Sequence, residues 1–151
     1  MNFFTKQWYQ NYQIELPLFC DIKEAEEKFK KREVESQIVL NRYQEHYKQI
    51  KPYLPSCIKE INMHDCIILR SGFIGKDFFM DIDSSGGFGS ANKITFINAE
   101  ILKCNIDSND AVWLYEEVYI EQSHYELHIL FHAKKGELGE MIIRFNELQI
   151  Q

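Results

Sequence analysis

Near Pro52 to Pro55 the hydrophobic period of the chain changes. Before it, apolar residues recur three and four apart among charged ones; after it, short alternating, aromatic-rich runs are broken by Gly, Asn, Asp and Ser. The first spacing keeps one face of a helix apolar and the second does the same for a strand. The change therefore predicts an α+β fold, helical over 1–55 and β over 56–151. A chain of 151 residues is long enough for one domain that removes roughly two-thirds of its unfolded surface from water.

In the helical part, Thr5 can cap a short helix carrying Trp8, Tyr9 and Tyr12, ended by Leu16-Pro17-Leu18. Asp21 with Glu24 has the form of a second capping pair. From there Ile22, Ala25, Phe29, Leu40, Tyr43, Tyr47, Ile50 and Leu54 trace one stripe that lapses at Arg32 and Ser36. A continuous helix from Ile22 to Lys51 would be about 45 Å long at 1.5 Å per residue, so the spacing predicts a bend, a break near the lapse, or a projecting end. The charges from Lys23 to Glu35 fall into pairs four apart and read as a solvated face.

In the β part, Phe78, Met80 and Ile82 alternate with Phe79, Asp81 and Asp83. The runs Ile94–Phe96, Tyr125–His132 and Met141–Phe145 alternate likewise, and Cys66–Ser71 and Val112–Ile120 complete about six strands. The links are too short for parallel crossovers, so the sheet is expected to be an antiparallel meander. Ala99–Ile106 fits either a bent strand or a turn of helix. Trp113-Leu114-Tyr115 and Phe78-Phe79 are apolar on both faces, which predicts a strongly curved or partly closed sheet, or a second covered face such as a dimer contact. The helices are expected to pack on this sheet and shield its apolar side.

The net charge of −6 falls almost wholly in Ser56–Gln151. An acidic surface argues against nucleic acid as a partner and permits a basic protein. Cys20, Cys57, Cys66 and Cys104 stand too far apart for a zinc pair or a disulfide framework, as in a cytoplasmic protein with reduced thiols. No leader pattern opens the chain and no apolar run approaches bilayer length, so no membrane role is expected.

Phe3-Phe4-Thr5-Lys6 with Trp8-Tyr9, His64-Asp65, Ser85-Gly86-Gly87, Ile94-Thr95-Phe96, Trp113-Leu114-Tyr115, Glu117-Val118-Tyr119 and Glu126-Leu127-His128 carry a resemblance. Together they resemble a bacterial family catalogued as domain-of-unknown-function family 4085, of which this chain looks like a short member. The resemblance implies a bacterial, cytosolic origin and transfers no activity or site.

His64-Asp65 shares its letters with a phosphohydrolase metal pair, yet it precedes a strand and reads as a turn. His124, Glu126, His128 and His132 share one side of a strand at nearly 7 Å steps, too wide for ready metal sharing, and no metal or cofactor is expected. Glu116 and Glu117, being consecutive on a strand, point to opposite faces. If both faces are covered, one carboxylate lies in apolar surroundings and its pKa rises unless His128, Arg144 or another donor pairs with it. Ser84–Ser90 reads as a wide hairpin loop with glycines at positive φ and Phe88 at its tip.

No motif names a reaction. The expectation is a non-enzymatic interaction module, such as an immunity protein, whose acidic, aromatic sheet face binds another protein through Trp113, Tyr115, Tyr119 and Phe88. The competing readings are a hydrolase-type enzyme using Asp81, Asp83, Glu117, Glu126 and His128, and a small-ligand binder with a pocket between helix stripe and sheet.

Overall fold

The computed structural model describes residues 1–13, 22–134 and 136–151. Three α-helices come first: α1 (Lys6–Gln13), α2 (Ile22–Ile50) and, after a 3-10 turn at Lys51–Tyr53, α3 (Ser56–Lys59). The strands are β1 (Ile67–Ile74), β2 (Asp77–Asp83), β3 (Lys93–Ile97), β4 (Glu100–Cys104), β5 (Val112–Glu121), β6 (His124–His132), β7 (Leu138–Phe145) and β8 (Glu147–Ile150). Thr5 caps α1, its hydroxyl accepting the Trp8 N–H at 3.1 Å. The expected stop at Leu16-Pro17-Leu18 and the Asp21 cap lie outside the described residues.

α2 is one 29-residue helix, about 44 Å long, and runs unbroken through the lapse at Arg32 and Ser36. The lapse has a packing reason. Ser36 is buried where α1 crosses, beside Trp8 and Tyr12, and its small side chain admits the aromatic neighbour. N-terminal to that crossing the stripe is uncovered, leaving Ile22 and Phe29 exposed, so the projecting end is what the structure adopts.

Every strand pair is antiparallel, in the order β4-β7-β6-β5-β1-β2-β3-β8. The expectation of about six strongly curved strands is corrected on both counts: there are eight, and the sheet is not strongly curled. Its changes of direction sit at corners. β3 runs into β4 through Asn98 and Ala99, with Asn98 in the left-handed region at φ 50°, and β7 runs into β8 through Asn146. Since β3 pairs with β8 and β4 with β7, each corner carries one long strand from one half of the sheet to the other. The meander is correspondingly partial, holding for β1-β2-β3 and for β5-β6-β7.

The core lies mainly between these halves rather than under the helices. Ile68, Met80, Phe96, Trp113, Phe131 and Phe145 are among its fully buried members, with Phe96 against Phe145 at 5.2 Å and Trp113 against Phe131 at 5.6 Å. α2 adds only Tyr47 and Ile50 to the margin. The expected shielding of the sheet by the helix stripe is thus limited to the C-terminal half of α2.

Ser84–Ser90 is a hairpin loop between β2 and β3, yet its glycines do not sit at positive φ; among the described glycines only Gly75 and Gly136 do. Close approach explains Gly87 instead. A Cβ there would lie 2.6 Å from the Cys66 sulfur and 2.7 Å from both the Cys66 nitrogen and the His64 carbonyl oxygen.

Candidate functional site

The sheet has one interrupted ladder. β1 meets β5 in register only at Ile67↔Val112, after which the strands diverge. The β5 flank that runs on past the start of β1 is served by side chains. Tyr43 on α2 accepts the Val118 N–H at 3.2 Å, His46 Nε2 donates to the Val118 carbonyl at 3.0 Å, and His64 Nδ1 donates to the Leu114 carbonyl. Unpaired buried backbone groups are costly, so three side chains here do the work of an absent strand. Burial pushes the Tyr43 hydroxyl far above its ordinary value.

Behind that flank is a cavity of about 210 Å³ lined by Tyr43 and Tyr47 from α2, Lys59 and Ile61, and Glu116 and Val118 from β5. A bulge at Leu114 puts Glu116 on the same inner face as Trp113 and Val118. The Trp113 Nε1–H donates to Glu116 Oε2 at 2.7 Å. Burial pushes the Glu116 carboxyl up to about 7, against smaller opposing effects from the Trp113 bond and the more distant His64. Among the described residues no cation is paired with it.

Glu117 faces the other way and is fully buried. Oε1 accepts the N–H groups of Phe3 at 2.7 Å and Phe4 at 2.6 Å; Oε2 accepts the Asn2 N–H at 2.7 Å and the Tyr119 hydroxyl at 2.6 Å. This carboxylate anchors the N-terminal segment, whose Phe4 fills a cup made by Trp8, Tyr43 and Tyr115. Beside it the Tyr119 ring lies 4.5 Å from His128, which meets Glu126 at 3.3 Å, while Glu126 takes Arg144 at 2.8 Å. Burial alone would raise the Glu126 carboxyl, but the Arg144 and His128 bonds outweigh it and hold it below its ordinary value. Burial lowers His128, whose Nδ1 is enclosed with no partner among the described residues and would be an unpaired donor if charged.

Of the five residues expected for an enzyme, the fold gathers Glu117, Glu126 and His128 on one outer face. Asp81 and Asp83 lie on β2, separated from β6 by β1 and β5. Asp81 pairs with Arg70, and Asp83 accepts the Ser85 N–H at 2.9 Å. None of the described residues form a metal-holding cluster of three or more His, Cys, Asp or Glu. Of the four expected binding residues, Trp113 is core and cannot meet a partner. Tyr115 is half-buried beneath Phe4, Trp8 and Tyr9, and Tyr119 beneath His46 and His128. Phe88 is exposed and stacks on His64 at 5.7 Å. The turn expected at His64-Asp65 is present, with Asp65 at φ 63°.

The chain is thus an α+β protein with an eight-stranded antiparallel sheet, a β1–β5 ladder of a single pair, and a carboxyl in the cavity between β5 and the C-terminal half of α2. Residues 18–141 match the protein family of unknown function DUF4085, and the chain belongs to that family. No curated protein and no solved structure matches it. No described helix is long and apolar enough to cross a membrane.

Proposed function

We propose that this chain is a non-enzymatic protein-interaction module of the bacterial cytosol, of the kind immunity proteins represent, and that it docks a partner along β1. The supporting observation is the exposure of Ile67, Leu69, Phe73 and Ile74, four large apolar side chains on one eight-residue strand. The same strand has lost its β5 partner after Ile67. The Ser71 N–H is taken by the Asn109 side chain at 3.0 Å, so an incoming segment would lie against Phe73 and Ile74. Exposed apolar side chains along a strand edge, Ile74 on one face and Phe73 on the other beside Phe78 at 5.0 Å, suit an extended polypeptide.

Charge sets the partner's chemistry. Asp107 lies in the loop alongside this strand and Asp77 stands opposite Ile74, which favours an apolar segment flanked by Lys or Arg. Cys57, Cys66 and Cys104 are all free thiols, in keeping with a reducing compartment. The enzyme reading loses support because each of its five candidates is engaged by a structural partner.

The test places a photo-crosslinking residue at Ile74 and, as a control, at Glu33 on α2, with irradiation in the native cytosol and mass spectrometry of the adducts. The reading expects an Ile74-specific adduct whose crosslinked segment is apolar with basic flanks. Identical adducts from both positions would overturn it. An adduct only with a second copy of this chain would replace it with a homodimer.

A further inference from the structure

We propose that the cavity between the C-terminal half of α2, the α3 region and β5 is a binding site for a small organic cation, an alkylammonium or guanidinium group held against Glu116. Its walls suit such a ligand. Tyr43 and Tyr47, one helical turn apart with ring centroids 6.1 Å apart, supply electron-rich faces, while Ile61 and Val118 supply apolar contact for a short alkyl stem. The Lys51 ammonium already lies 5.8 Å from the Tyr47 ring centre, so this ring accepts a cation at its outer side.

The charged end has one partner available. Glu116 Oε2 is committed to Trp113, whereas Oε1 makes no hydrogen bond among the described residues. Lys59 lines the cavity but forms no ion pair among the described residues, and its carbonyl accepts the Tyr47 hydroxyl at 3.2 Å. A carboxyl in a confined space with no resident cation is neutralised by a proton or by an incoming cation. Its raised pKa, about 7, agrees with this geometry. The ionisable groups facing it are Tyr43 and Tyr47 from α2, Lys59 from α3, His64 from the turn before β1, and Cys66 just after that turn. Binding of an ammonium to the protonated carboxyl releases that proton to solvent and forms the ammonium–carboxylate pair, so charge balances.

The probes are n-butylammonium and butyrate, equal in chain length and opposite in charge, with binding read from Tyr ring and Glu carboxyl resonances by NMR. The expected result is saturable binding of butylammonium, with Tyr43 and Tyr47 shifts. Affinity should fall by about tenfold or more from pH 8 to pH 5, because the proton competes for the same oxygen. Butyrate should not bind, and Glu116→Gln should abolish butylammonium binding while the fold persists. Equal or tighter binding of butyrate, retention of butylammonium by the Gln variant, or no binding of either probe by the wild-type protein would each overturn the proposal.

Discussion

Glu116→Gln should stabilise the protein at alkaline pH. The Gln side-chain carbonyl can still accept the Trp113 Nε1–H, now made at 2.7 Å to Oε2, and its neutrality removes the cost of a buried charge. The folded carboxyl titrates near 7 against 4.5 when unfolded. Between those values the native state keeps a proton that the unfolded chain has released, so this residue's contribution is complete below pH 4.5 and lost as pH rises to about 7. At about 1.4 kcal/mol per pH unit the full window amounts to about 3 kcal/mol, and contact with the cavity reduces this to about 1–2 kcal/mol. Urea denaturation followed by tryptophan fluorescence at pH 5, 6, 7 and 8 measures it. The Gln variant should match the wild-type protein near pH 5 and exceed it by about 1–2 kcal/mol at pH 8. His128, held low by burial, pushes stability the opposite way with pH, but it is common to both proteins and cancels in the difference. A Gln variant less stable at pH 8, or a difference independent of pH, would refute the argument.

Glu117→Gln replaces one acceptor oxygen with an NH2 group facing N–H or O–H donors; it should cost about 2 kcal/mol and speed hydrogen exchange at Phe3 and Phe4, both measurable by NMR. Gly87→Ala drives a Cβ into backbone atoms at 2.7 Å that have little room to retreat, so it should cost about 1–3 kcal/mol in urea denaturation; a neutral outcome would show that the loop at Ser84–Ser90 shifts freely.

The legible part of this fold was local. Alternation at Phe78–Asp83 and Tyr125–His132 marked β2 and β6, and the α2 stripe could be followed to Ile50. β8 was missed because Glu-Leu-Gln-Ile is only four residues long and needs β3, some fifty positions earlier, to become a strand. Ala99–Ile106 fits either strand or helix because a corner breaks alternation where β4 begins.

At the site, period two implies that Glu116 and Glu117 face opposite sides of the sheet. It could not show what covers them. The extra residue at Leu114 shifts the register, so Trp113 and Glu116 share a face at a spacing of three rather than two. The partners of Glu117 lie 113 to 115 residues away, beyond any local pattern. Tyr43 is legible only as a member of the helix stripe and His46 carries no signal, since nothing in their neighbourhood reveals that β5 needs them.

Because two strands turn corners and belong to both halves, those halves cannot breathe apart without tearing the ladders joining β3 to β8 and β4 to β7. Opening motions are thereby channelled to the place where β5 is held by α2 instead of β1. Loosening of the C-terminal half of α2 should therefore precede any opening of the two halves of the sheet.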